Sequence, residues 1–184
     1  ARSEQLPERI VEDVLGGLEY LPRVIELDRA QPEFTQTFAH YFYGRVTDAR
    51  IERGRRLLAE YEDFLDDLTA RYGVPGRYLV AFWGLETNFG RSLGRMPVLD
   101  SLATLACDPR RHEFFTEELM DALALLERES LSPAEMRGSW AGAMGHVQFL
   151  PSVFLAHAVD ADGDGRRDLW GSIPDAMASA ARYL

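Results

Sequence analysis

The 184-residue chain contains no lysine, and all 20 of its basic residues are arginine. That absence removes lysine Schiff-base chemistry and a phosphate-loop lysine from consideration. Cys107 is the single cysteine, so no internal disulfide can form and the redox compartment stays open. No apolar run approaches the roughly 20 residues needed to cross a bilayer, so no transmembrane segment is expected. The opening stretch from Ala1 to Pro7 lacks the apolar core of a secretory signal and reads as a processed or engineered N-terminus. His40, His112, His146 and His157 never take the HExxH spacing of a zinc protease. The formal charge of −10 argues against a nucleic-acid partner, which would need a basic surface. Sustained strand alternation, internal repeats and low-complexity linkers are all missing, which leaves an all-α class.

What is present is helical periodicity. Ile10, Val11, Val14, Leu15 and Leu18 recur at spacings of three and four, predicting a helix from about Pro7 to Leu27. A second is predicted from Thr47, as N-cap, to Arg71, with Gly73 and Pro75 as the stop. Further helices are expected near Pro75–Glu86, Leu99–Ala106 and Glu113–Arg128, and from about Pro174. Ser132 to Glu135 has the form of a capping box, and Asp100 reads as an N-cap. The last pattern is still running at Leu184 without a C-cap, so a domain covering 1–184 is expected to be incomplete at that end. Within it, 1–75 forms a helical N-terminal part and 76–184 a core.

Every position from Tyr78 to Leu85 is apolar, aromatic or glycine, which predicts a buried helix without a polar face. Glu86 follows directly. Phe82, Trp83 and Phe89 lie four before, three before and three after it, spacings that would share its helix face. A carboxyl among aromatic rings has a raised pKa, the property a general acid requires. The alternative is that Glu86 emerges at a helix end into water.

Five motifs occur in register: Gly84 to Gly90 around Glu86-Thr87, Leu99 to Leu105, Pro109 to Arg111, Gly138 to Gly145, and Gln148 to Ser152. Together they resemble the membrane-bound lytic transglycosylase B family and its soluble relatives, clearly from about Tyr61 to Leu184 and more weakly before it. The resemblance implies a lysozyme-like α domain that cuts the MurNAc–GlcNAc bond of peptidoglycan glycan strands. It implies that Glu86 first protonates the glycosidic oxygen and then deprotonates the muramyl 6-hydroxyl, giving a 1,6-anhydro product. The paired carboxylates of most glycosidases are then unnecessary. By the same resemblance Ser139 lies beside the catalytic carboxyl, Gln148 contacts sugar, Arg110 and Arg111 meet acidic groups of the peptide stem, and Tyr183 lines the cleft. Each has a plainer reading: an ordinary loop for Ser139 and Gln148, surface charge for the arginines, a core aromatic for Tyr183. His146-Val147 departs from the family's usual tyrosine-glycine.

The stretch Asp160, Asp162, Asp164, Asp168 places oxygen ligands at positions 1, 3, 5 and 9 of an EF-hand-like loop, with Gly165 at position 6. Arg166 at position 7 would offer its backbone carbonyl. Position 12 is Gly171, where a bidentate Glu is standard, so Asp175 is the candidate to close the site from further along. It can equally serve as the N3 partner of Ser172 in capping the last helix. A structural Ca²⁺ is therefore expected in loop 160–175, and no cofactor is required for the chemistry. The resemblance further implies a bacterial periplasmic location, with a lipid anchor to the outer membrane as an option upstream of this chain. A hydrolytic muramidase and a non-catalytic glycan-binding module are the alternatives.

Overall fold

The computed structural model describes residues 10–30 and 36–184. It resolves into two compact units. Of the described residues, one combines those up to Arg29 with Gly94–Met144 and Phe149–Leu155, and the other holds those from Ala30 to Leu93 with Gly145–Gln148 and Ala156–Leu184.

In the first unit, α1 (Pro22–Arg29) packs on α6 (Val98–Ala106), which packs along α7 (His112–Arg128). Val24, Leu99, Leu102, Leu105, Phe115, Leu123 and Leu125 are buried, and the three-residue spacing of Leu99, Leu102 and Leu105 puts them on one helix face. The long helix expected from Pro7 to Leu27 is divided. A short π-helical segment, Ile10–Leu15, ends at Gly16-Gly17, and α1 starts only at Pro22. Paired glycines raise the entropic cost of continuing the helix, and proline suits a first turn. Residues 7–9, where that helix was to begin, lie outside the described residues. Asp100 is not an N-cap. It sits inside α6, whose N-cap is Pro97, and its carboxylate accepts the Glu19 N–H at 2.6 Å.

Two short strands, β1 (Met96–Pro97) and β2 (Arg137–Gly138), pair antiparallel in this unit. After β2 the chain makes a tight glycine-rich loop. Gly138 carries no Cβ because one would meet the Ala143 carbonyl at 2.2 Å. The first turn of α8 (Pro151–His157) is held by buried Glu118, whose carboxylate accepts the Ser152 N–H at 3.1 Å and its hydroxyl at 2.6 Å. At Ser132–Glu135 the carboxylate half of the expected capping box forms, Glu135 accepting from the Ser132 N–H and hydroxyl, while the Glu135 N–H meets the Ser132 carbonyl and only a turn follows.

The second unit contains α2 (Phe38–Arg45), α3 (Asp48–Glu60), α4 (Glu62–Tyr72), α5 (Gly76–Thr87) and α9 (Ile173–Tyr183). Thr47 caps α3 as its position suggests, accepting the Arg50 N–H at 3.3 Å. The helix predicted from Thr47 to Arg71 breaks at Tyr61, whose backbone leaves helical values before α4 resumes. Gly73, with φ 78°, terminates α4 in the left-handed conformation that glycine tolerates. Helices α4 and α5 pack together and each contacts α9, burying Leu65, Leu68, Leu79, Val80, Trp83, Met177 and Ala180. Helix α9 is capped by Ser172, whose hydroxyl accepts the Asp175 N–H at 3.2 Å. Helices α2 and α8 were not marked by periodicity, being too short to show a repeating face. Among the described residues the class is all-α, as the sequence predicts, apart from the two-residue strands.

The cap on α8 is testable. Glu118→Ala deletes the acceptor for a part-buried amide and hydroxyl and should cost about 1–2 kcal/mol, read from the midpoint of urea unfolding.

Candidate active site

Glu86 stands in the last turn of α5. The expectation of a helix buried all round, with Glu86 among three aromatic rings, is corrected in part. Tyr78 and Leu85 are exposed, giving α5 an outward apolar face, and Glu86 itself is exposed. Trp83 and Phe89 are buried and meet edge to face with centroids 5.8 Å apart. The reason lies just beyond the helix. Asn88 and Phe89 take left-handed backbone (φ 52° and 58°), so Phe89 folds back over Gly84 instead of continuing along the face of Glu86. A Cβ on Gly84 would come within 2.7 Å of that ring.

Exposure of the side chain does not leave the carboxyl in a bulk-water environment. Surrounding protein desolvates it and raises its pKa, and the Arg45 guanidinium opposes that shift. Arg45 also borders an apolar cavity of about 300 Å³ between α3 and α5, floored by Ile51, Leu58, Val80 and Leu85.

The turn after Glu86 is fastened from behind. The Thr87 hydroxyl, fully buried, donates to the His146 carbonyl at 2.8 Å and accepts the Gly90 N–H at 3.0 Å. The Trp83 indole N–H donates to His146 Nδ1 at 2.9 Å. Burial pushes the His146 pKa down, opposed by a backbone hydrogen bond to Trp170 and the charge of Asp168. Thr87 and His146 were not singled out as site residues from sequence. A hydroxyl directly after the acid, four residues from a buried tryptophan, was the available signal.

Gln148, at φ 52°, donates its amide nitrogen to the carbonyls of Leu93 and Gly145, at 3.1 and 3.0 Å. Its side-chain oxygen is the part left to meet a ligand. Tyr183 is 47% exposed and edge-on to His157, so it is not the core aromatic of the plainer reading.

Ser139 belongs to the first unit, where its hydroxyl accepts the N–H groups of Ala141 and Ala143 at 3.3 and 3.0 Å. Its remaining proton is what it could offer a ligand. Arg110 and Arg111, in the same unit, both grip buried Asp28 of α1: Arg110 reaches it at 3.0 Å and Arg111 makes a second contact to its other oxygen. Their first partner is thus a carboxylate of the chain itself.

In the acidic loop, carboxylate oxygens of Asp160, Asp162 and Asp164 gather within 4.8 Å of one another. Asp160 accepts the N–H groups of Gly163 and Gly165, which curls the loop, and Gly165 has φ 87°. Three exposed carboxylates with an oxygen-only donor set suit a hard divalent cation. Arg166 follows, its N–H on Asp164. Asp168 and Asp175 stand outside this cluster. Asp168 accepts the N–H groups of Trp170 and Gly171. Asp175 is fully buried, and its two oxygens accept from Ala161 and Asp168, each at 2.8 Å.

A pH dependence follows from Glu86. Its pKa is raised in the folded state, so the native protein holds that proton more tightly than the unfolded chain. The stabilising contribution is complete below the ordinary glutamate range and is lost as pH rises through the raised value. An NMR titration should give Glu86 a midpoint above that of an exposed glutamate, and Arg45→Ala should move it higher still. Glu86→Gln should flatten the fall in stability across that interval.

The chain matches the transglycosylase SLT domain family over residues 1–184. It is 41% identical over 140 residues to membrane-bound lytic murein transglycosylase B of Escherichia coli K12, covering 76% of this chain and 38% of that protein. The structure of SltB3 from Pseudomonas aeruginosa in complex with NAG-NAM-pentapeptide superposes with a TM-score of 0.90 at 42% identity, over 97% of this chain and 48% of that one. The Escherichia coli lytic transglycosylase SLT35 in complex with calcium gives 0.84 at 36% identity, over 94% and 55%. The chain thus spans between about two fifths and just over half of these relatives' lengths. With its full length matched and its helical fold shared, the chain belongs to the transglycosylase SLT domain family.

Proposed function

We propose that this domain cleaves the MurNAc-β-1,4-GlcNAc bond of peptidoglycan by intramolecular transglycosylation, with Glu86 as acid and then base. The observation that carries this reading is a carboxyl at the end of a packed helix, desolvated by the surrounding protein, in a chain of the transglycosylase SLT domain family whose relatives are lytic transglycosylases. A hydrolytic glycosidase ordinarily places two carboxyl groups across the scissile bond, one of them to serve as nucleophile or to activate water. Here the nucleophile comes from the substrate. Glu86 gives its proton to the bridging oxygen as the C1–O bond breaks. The resulting carboxylate takes the proton of the muramyl 6-hydroxyl while that oxygen bonds C1. The acid is regenerated and no water is consumed.

The other site residues have graded parts in this reading. Gln148 presents its side-chain oxygen to a sugar hydroxyl, Ser139 its hydroxyl proton to a polar group of the ligand, and Tyr183 its exposed ring to the glycan. Arg110, half exposed beyond its bond to Asp28, meets the stem-peptide carboxylates, with Arg111 holding Asp28 beside it. Asp160, Asp162 and Asp164, with the Arg166 carbonyl, would hold Ca²⁺; Asp168 and Asp175 brace the loop from outside the cluster. The ion would screen three like charges and stiffen the loop, taking no part in bond cleavage. SLT35 is a relative crystallised with calcium, and SltB3 one crystallised with a peptidoglycan fragment, which support both assignments.

No helix among the described residues is long and apolar enough to cross a membrane. The name of the Escherichia coli relative, membrane-bound lytic murein transglycosylase B, supports a membrane-bound setting for the whole protein, and a peptidoglycan substrate is consistent with the periplasm.

Mass spectrometry of digested sacculi decides the reaction type. Muropeptides one water lighter than hydrolysis products are expected, and hydrated reducing ends would instead establish a muramidase. Glu86→Gln should lower turnover by at least a hundredfold while the fold persists by circular dichroism; retained activity would show that another group is the acid. Asp162→Ala should abolish the rise in melting temperature expected when Ca²⁺ is added.

A further inference from the structure

Five observations in the second unit converge on His146. Its Nδ1 accepts from the Trp83 indole at 2.9 Å, and its carbonyl accepts from the Thr87 hydroxyl at 2.8 Å. Its own N–H donates to the Leu169 carbonyl at 2.8 Å. Gly145, just before it, has φ 69°, and a Cβ there would stand 2.4 Å from that same carbonyl. Gly90, four residues past Glu86, lies so close to the ring that a Cβ would meet His146 Cε1 at 2.3 Å. An indole can only donate, so Nδ1 is unprotonated and the ring proton sits on Nε2. The ring also hydrogen-bonds the Trp170 backbone. One neutral imidazole is therefore clamped between the helix that carries Glu86 and the 168–170 end of the acidic loop.

The geometry points to His146 as a positioning residue: it fastens α5 and the left-handed turn after Glu86 to the 168–170 segment, and so fixes where the Glu86 carboxyl leaves the helix. Glu86 is in the final turn, where a helix frays unless its end is tied. Trp83 is one turn before it and Thr87 directly after it, so both of its flanks are secured through one residue. The inference rests on the reading of Glu86 as the acid. It adds that the acid's direction is set by a group that touches no substrate.

The test uses three variants and two readouts. His146→Phe keeps a ring of similar size and removes the acceptor. His146→Asn places an amide oxygen near the position of Nδ1. Trp83→Phe removes the donor from the other side and serves where His146→Phe does not fold. In the folded chain the Trp83 indole and Glu86 backbone N–H resonances should both shift in His146→Phe and return part of the way in His146→Asn. On peptidoglycan, His146→Phe and Trp83→Phe should each lower kcat at least tenfold with KM within twofold, since misplacing a catalytic group impairs the chemical step more than binding. The double variant should be no worse than either single one. An unmoved Glu86 resonance in His146→Phe, equal losses in His146→Phe and His146→Asn, or a change confined to KM would overturn the proposal. If Glu86→Gln is inactive while His146→Phe has full kcat, the positioning role alone falls. If Glu86→Gln remains active, the acid assignment falls with it.

Discussion

A buried indole N–H needs an acceptor, and in this protein that need organises the region around Glu86. Trp83 is 2% exposed and can only donate. An orphaned donor in a core costs on the order of 1–3 kcal/mol, so the chain must bring an acceptor to it. The acceptor is His146, sixty-three residues away in sequence. Once His146 is inside, its backbone and ring have to be satisfied as well, and they are, by Thr87, Leu169 and Trp170. The close approach that results explains two glycines. Neither Gly90 nor Gly145 has room for a methyl group, and both take positive φ.

The acidic loop follows a related logic with carboxylates in place of the indole. Asp175 is fully buried at the start of α9, and its two oxygens accept from Ala161 and Asp168. It ties the two ends of the loop to a helix already capped by Ser172. Desolvation raises its pKa and the hydrogen bonds from Ala161 and Asp168 oppose that rise, which is the balance expected of a buried carboxylate serving as a brace. The three exposed aspartates stay outside that brace and close to each other, an arrangement whose mutual repulsion a divalent cation would relieve. Helix and loop are thus each held by a buried polar residue, and the 168–170 segment is common to both.

Much of this was legible in the residue order. Thr47, Gly73 and Ser172 act locally through their own backbone neighbours, and the structure has them as caps and stops where their spacing predicts. The failures have local causes too. Gly16-Gly17 divided a helix that periodicity ran through, and Tyr61 divided another. Asp100 has a cap's position by sequence because it precedes a small polar residue, but α6 begins two residues earlier and its carboxylate is taken by the distant Glu19 N–H. Helical spacing puts Phe89 on the face of Glu86, but the intervening turn is left-handed and carries the ring away.

The sequence by itself determined the helical class, the position of the acid at the end of an apolar stretch, and the loop of alternating aspartates. All three are set by residues close together along the chain. Only the tertiary structure decided that Glu86 is exposed yet desolvated, that Arg110 and Arg111 share Asp28, and that His146 completes the hydrogen bonding of Trp83 and Thr87. Those outcomes depend on which buried donor meets which acceptor across sixty or eighty residues. No local propensity encodes such a pairing, because it exists only once the elements have packed.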